Sequence, residues 1–201
     1  ASDLLELFNY LSGFSKQKSY QKLLVSPSSM REKFIFLIKR EIKNAEEGKK
    51  AEIIAKMNSL VDPEIIKLLY LASESGVKIN LIIRGICCLY PQRKNLSENI
   101  KVISIIGHFL EHSRIFWFCN NGDDEVFIGS ADWMRRNLDR RIEAVTPIED
   151  YELKSKIYSL LQTYIKDDYF SWIMKEDGSY SKYELDSSNN RSQIDLIEKQ
   201  N

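Results

Sequence analysis

Hydrophobic positions recur along this chain in two periods, and the switching between them lays out an α/β fold. Leu4, Leu5, Leu7, Phe8 and Leu11 fall on one side of a short helix, followed by the polar turn Ser12-Gly13-Phe14-Ser15 and an apolar stretch, Leu23-Leu24-Val25. After Pro27, the residues Met30, Phe34, Ile38, Ile42 and Ala45 repeat at helical spacing up to Gly48. Ser29, with Glu32 three residues on, predicts a capping box at the start of that helix. Ala51 to Met57 predicts a strand. Asp62 as cap, Pro63 in the first turn and Gly76 as stop bracket a second helix, with Val61 placed to staple onto Ile66. Val77 to Ile83 predicts another strand. So short a crossover makes a right-handed βαβ unit with parallel, adjacent strands whose C-terminal ends share one edge. Ligands of open α/β sheets bind at that edge, which here carries Lys56, Asn58, Arg84 and Gly85.

Further along, Asn99 to Ile106 reads as a strand and Gly107 to Glu111 as a turn of helix or a loop. Arg114 to Cys119 and Glu125 to Ile128 form a hairpin across Asn120-Asn121-Gly122-Asp123, where Asn-Gly is the turn signal. Arg141 to Val145 predicts one more strand. Thr146-Pro147-Ile148-Glu149 is expected to cap a long helix carrying Leu153, Ile157, Leu160, Leu161 and Tyr164. From about Lys175 the chain turns polar, through Ser187-Ser188-Asn189-Asn190, and is expected to fray. The fold class is therefore α/β, a mixed β-sheet flanked by helices.

Composition narrows what this fold serves. With 201 residues, 43% of them hydrophobic, the chain can bury a core and is no disordered linker. Lys and Arg number 29 and so do Asp and Glu, so a polyanion must be held by a local cluster of cations and general coating of nucleic acid is disfavoured. No nucleic-acid partner is expected. Cys87, Cys88 and Cys119 are odd in number and not spaced like a zinc pair, which fits a reducing compartment. No stretch approaches the ~20 apolar residues of a membrane span. A cytoplasmic location is expected, with any membrane association peripheral. The chain opens on Ala1, not Met, and is read as a piece of a longer protein.

Two segments carry candidate chemistry. His108 and His112 are four apart, a spacing zinc can use, but no third ligand is evident, so no metal site is assigned. His112-Ser113-Arg114 opens one hairpin strand and Gly129-Ser130-Ala131-Asp132 closes the other. A phosphate between them would meet an imidazole, a guanidinium fork, the Ser130 hydroxyl and loop N–H groups. Just beyond, Arg135, Arg136, Arg140 and Arg141 crowd seven positions, a rail for a phosphate chain or a solvated face; Asp132, Asp139 and Glu143 are expected to pair with some of these cations. Lys56, Asn58, Ser130, Arg136 and Arg141 are candidate contacts for such a phosphate chain, with a structural salt bridge as the competing role of Lys56, Arg136 and Arg141. The pattern resembles one half of a phospholipase D-type site, His-x-Lys, four residues, Asp, then Gly-Ser. It departs at Arg114 for Lys and Cys119 for Asp, and only one half is present.

Longer motifs make a second resemblance specific. Phe8-Asn9, Ala55-Lys56-Met57-Asn58-Ser59-Leu60-Val61-Asp62, Arg84-Gly85-Ile86-Cys87-Cys88-Leu89, Phe109-Leu110-Glu111-His112-Ser113-Arg114 and Gly129-Ser130-Ala131-Asp132-Trp133-Met134 occur in order, with Arg136-Asn137 and Arg141-Ile142-Glu143. From about residue 3 to 170 the chain resembles the C-terminal region of bacterial polyphosphate kinases. That resemblance implies reversible transfer of the gamma-phosphoryl of ATP to inorganic polyphosphate, with Mg²⁺, through a phosphohistidine upstream of residue 1. It implies two phospholipase D-like domains: residues 1–25 ending the first, 26–175 forming the second, and 176–201 a polar tail. It further implies that Arg84 and His112 contact ATP phosphates, beside Arg114. The magnesium contacts are implied to lie outside this chain, as are the partner domains; relatives assemble as homo-oligomers, and the piece alone is expected to be inactive. His108 departs from the family pattern and is given no catalytic role. Two other readings remain at this point: a phospholipase D-like phosphodiesterase or nuclease that pairs half-sites by dimerising, and a non-catalytic polyanion-binding module.

Overall fold

A computed structural model describes residues 2–14, 20–182 and 190–198. Its strands are β1 (Leu24–Ser26), β2 (Glu52–Met57), β3 (Lys78–Ile83), β4 (Ile100–Ile105), β5 (Arg114–Phe118), β6 (Glu125–Gly129), β7 (Glu143–Ile148), β8 (Ser171–Met174) and β9 (Tyr180–Lys182). They form one sheet among the described residues, in the order β1-β7-β6-β5-β2-β3-β4-β8-β9. Only β2, β3 and β4 run parallel, the first two as the short βαβ crossover predicted; the other neighbours are antiparallel. The helices are α1 (Ser2–Leu11), α2 (Met30–Glu46), α3 (Pro63–Glu74), α4 (Arg135–Asp139), α5 (Tyr151–Ile165) and α6 (Ser192–Glu198).

Strand alternation decides which helices cover which face. Ile53, Ala55 and Met57 of β2 and Phe116 and Phe118 of β5 pack with Phe34, Leu37 and Ile38 of α2 and Ile65 and Leu69 of α3. Ile54 of β2 and Ile115 and Trp117 of β5 pack on the opposite face with Leu161 and Tyr164 of α5. Each apolar side chain buried this way stabilises the fold by about 1.5–3 kcal/mol, which fixes the register and so the placement of every strand end. α1 is different. Its Leu4, Leu5, Phe8 and Leu11 are exposed, and Asp3 ties it to the approach to β1 by accepting from the N–H groups of Gln21, Lys22 and Leu23. Among the described residues no helix is long and apolar enough to cross a membrane.

The second helix starts as expected: the Asp62 carboxylate accepts from Ile65 N–H at 3.1 Å, and Pro63 needs no partner in the first turn. The first does not. Ser29 precedes α2 with ψ −8°, away from the extended geometry of a capping residue, and its hydroxyl makes no cap bond. Thr146-Pro147-Ile148 is not a helix cap either: it lies in β7, opposite Ile128, Phe127 and Val126, and Asp150 caps α5 through Leu153 N–H. β1 pairs only with residues 143–145 of β7, so Pro147 sits past its end, where a missing N–H leaves no ladder bond unmade on that side. Residues 107–111 form a loop with no helical turn.

The expected fraying does not hold for residues 180–182 or 190–198. β9 extends the sheet by pairing with β8, and α6 is anchored by the fully buried Asp167. That carboxylate accepts from Phe170 N–H (2.7 Å), Ser171 N–H (2.9 Å), Ser192 N–H (2.8 Å) and the Ser192 hydroxyl (2.5 Å). Four donors converging on one carboxylate compensate its burial and bind the polar segment down. Ser187, Ser188 and Asn189 lie outside the described residues.

Candidate phosphate site

The ends of β2, β3 and β6 are stitched together before any side chain takes part. Leu60 N–H donates to Ile86 O, Cys88 N–H donates to Leu60 O, and Val61 and Asp62 N–H both donate to Trp133 O. Trp133 is fully buried, stacked on Phe116 at 5.2 Å and edge-on to Phe34 at 5.6 Å. This aromatic plug fixes the segment after β6, whose preceding residue is Asp132.

Asp132 is the hub. Its Oδ1 accepts from Asn58 N–H at 2.9 Å and from Arg114 Nε at 3.1 Å. The Asn58 side-chain oxygen accepts from Arg84 Nε at 2.8 Å. On the other side Arg114 Nη1 donates to His112 O at 2.8 Å and lies 3.0 Å from His112 Nδ1. A guanidinium has only donors, so a ring nitrogen bonded to it must offer a lone pair. Arg84, Asn58, Asp132, Arg114 and His112, drawn from the ends of four strands, β3, β2, β6 and β5, thus form one continuous hydrogen-bonded chain. Arg84 and His112 are exposed while the hub between them is buried. One carboxylate among these cations leaves the edge positive, with outward donors suited to a phosphate chain and little capacity to accept.

Other candidates are placed differently. Lys56 is only 1% exposed, with its ammonium 3.0 Å from Glu111 Oε2, donating to Ser113 Oγ at 2.7 Å and lying over the Tyr164 ring. Alternation turns its side chain to the α5 face, and burial drives its pKa down against the pull of Glu111. The competing salt-bridge role is the one seen for Lys56. Ser130 donates its hydroxyl to Glu143, which also takes the Asn137 amide. Asp139 goes to Arg31, at 2.6 Å, with Arg135 at 3.9 Å. The expected pairing within the arginine run is therefore mostly absent, because its acids serve Arg114, Arg31, Ser130 and Asn137. Arg136 and Arg141 are exposed and make no ion pair among the described residues. His108 packs edge-on against Phe170. Cys119, the departure from the phospholipase D pattern, is buried beyond the opposite end of β5 from Arg114, outside the hydrogen-bonded chain.

Sequence reasoning passed over Glu111 and Gln193, both of which brace the His112 loop. Gln193 donates to Glu111 Oε1 at 2.8 Å across 82 residues of sequence. No periodicity signals such a contact. A magnesium site does not fit these residues: among the described residues no group of three or more His, Cys, Asp or Glu could hold a metal ion, and Asp132 is engaged by Arg114.

Comparison with known proteins matches residues 23–193 to the polyphosphate kinase C-terminal domain 2. The chain is 57% identical over 197 residues to a polyphosphate kinase of Parasynechococcus marenigrum, covering 97% of this chain and 28% of that protein. It superposes on the crystal structure of polyphosphate kinase from Porphyromonas gingivalis with a TM-score of 0.94 and 39% identity, over 98% of this chain and 31% of that one. A phospholipase D family member, Nuc from Salmonella typhimurium, shares the fold with a TM-score of 0.51 and 16% identity, over 82% of this chain and 97% of that one. The chain thus spans under a third of the polyphosphate kinases it matches and is built on the phospholipase D-like fold. It belongs to the polyphosphate kinase family and carries that family's C-terminal domain 2.

Proposed function

We propose that this chain supplies the phosphate-gripping half of a site that transfers the gamma-phosphoryl of ATP to inorganic polyphosphate, reversibly and through a histidine elsewhere in the protein. The observation that carries the proposal is the continuous chain Arg84–Asn58–Asp132–Arg114–His112 at one sheet edge. Phosphoryl transfer needs little covalent help from a protein; it needs positioning and cations where charge builds up. Arg84, aimed by the Asn58 oxygen, would clamp the nucleotide phosphates. His112 would give a hydrogen bond from its other ring nitrogen to the bridging or leaving oxygen while the upstream histidine attacks. Arg114, held by Asp132, orients the imidazole and keeps the edge positive. Arg136 and Arg141, unpaired among the described residues, are offered as contacts for the polymer further out. Mg²⁺ would be held by groups outside this chain, and no step here runs through it.

The exposed apolar face of α1 supports reading residues 1–25 as the end of a preceding domain of the same protein, and 26–175 as the second phospholipase D-like domain. Homo-oligomeric assembly of the whole protein belongs to the same proposal. So does a cytoplasmic location, which fits three cysteines without a disulfide among them.

Steady-state polyphosphate synthesis by the full-length protein tests the reading. Arg84→Ala and His112→Ala should each lower kcat/KM about 100-fold, as removal of a transition-state donor does. Synthesis at the wild-type rate in both variants would refute it.

A further inference from the structure

We propose that Gln193 is a positioning residue for the phosphate site, acting through the loop that carries His112. The inference rests on the phosphate role of His112 given above. Residues 106–113 have no regular secondary structure, so their backbone must be held by something else. Gln193, on α6 and 4% exposed, holds it with both ends of its carboxamide. Its Oε1 accepts from Phe109 N–H at 3.0 Å, and its Nε2 donates to Phe109 O at 2.9 Å and to Glu111 Oε1 at 2.8 Å.

From there the constraint passes to either side of the histidine. The other oxygen of Glu111 lies 3.0 Å from the Lys56 ammonium, which also donates to Ser113 Oγ at 2.7 Å. The residues before and after His112 are thereby fixed on one buried cation, and the first of them is fixed again by Gln193. A second observation points the same way. A Cβ on Gly107 would collide with Gln193 Oε1 and come within 2.8 Å of Phe170 Cδ1, so the loop is pressed flat against the α6 side chain. α6 itself is locked by Asp167 through Ser192. A segment of polar composition thus reaches back to set where an imidazole stands, and preorganisation of this kind governs how well a phosphate is met.

The test is tripolyphosphate affinity of the full-length protein, measured calorimetrically in two backgrounds. Gln193→Met keeps length and volume but removes both ends of the carboxamide bond; Gly107→Ala disturbs the same contact from the loop side. Folding is checked by circular dichroism and melting. Either variant should weaken tripolyphosphate binding about tenfold when His112 is present, and less than twofold when His112 is replaced by Ala. Equal losses in both backgrounds would mean a merely structural role and would overturn the proposal, as would no loss in either. If His112→Ala alone binds tripolyphosphate like the wild type, the phosphate role of His112 fails first, visibly and separately, and this proposal falls with it.

Discussion

Removing Asp132 is the sharpest perturbation of the site, because two donors depend on one oxygen. Asp132→Ala leaves the Asn58 N–H without its 2.9 Å acceptor and Arg114 without its 3.1 Å partner. An unsatisfied buried N–H costs about 1–3 kcal/mol. Breaking a fully buried ion pair costs about 3–5 kcal/mol, but this pair is 13% and 7% exposed at its side chains and Arg114 keeps its bond to His112 O, so the low end applies. Allowing for overlap between the two losses, destabilisation of about 3 kcal/mol is expected, a fall in Tm of roughly 6–12 °C for a chain of this size. Asp132→Asn keeps an acceptor for both donors and loses only the charge, so about 1–2 kcal/mol is expected. Urea denaturation and thermal melts of the two variants give the comparison. A loss below 1 kcal/mol for Asp132→Ala, or equal losses for Ala and Asn, would refute the hub argument.

Two pH-linked predictions follow from buried carboxylates. Burial pushes the Glu41 carboxyl above its ordinary range despite the Asn120 N–H it accepts, so the folded state holds that proton more tightly than the unfolded chain. Its linkage then adds stability as pH falls from above the folded value towards the unfolded one, and Glu41→Gln should remove that slope and leave stability at pH 7 unchanged or higher by about 1 kcal/mol; a loss at pH 7 with the slope intact counts against it. Asp62 is the opposite case: burial raises its carboxyl, but Arg31 at 2.6 Å and the Ile65 N–H outweigh burial and hold it below the ordinary carboxylate range. Its stabilisation is full above the unfolded value and lost as pH falls through the depressed folded one, so Asp62→Asn should cost about 2 kcal/mol at pH 7 and flatten the acid limb of a urea titration. An unchanged acid limb would contradict that assignment.

What sequence reading recovered depended on how local the signal was. Asp62-Pro63, the Asn-Gly hairpin turn and the apolar runs of β2 and β3 each announce themselves within a few residues; they placed Asn58 with Arg84 and His112 with Arg114, while the β2–β5 pairing that joins the two groups at one sheet edge leaves no local signal. Lys56 was at the right strand end but on the wrong face, because a fully buried strand lacks the polar alternation that would reveal where a lysine points. Thr146-Pro147 reads as a helix start in isolation; only the short partner β1 makes a proline acceptable there. The polar C-terminal segment has no apolar period, yet Asp167 and Gln193 bind it with buried hydrogen bonds to groups far away in sequence. Such contacts depend on the assembled sheet and leave no local trace.

The central claim is that Arg84 and His112, at the two ends of one hydrogen-bonded chain, grip the same run of phosphates. Calorimetric titration of the full-length protein with ATP and with tripolyphosphate, for wild type, Arg84→Ala, His112→Ala and the double variant, tests it directly. The account predicts a loss of about tenfold in affinity for each single variant and a double variant whose loss departs from the product of the two. Affinities like wild type in both single variants would contradict it.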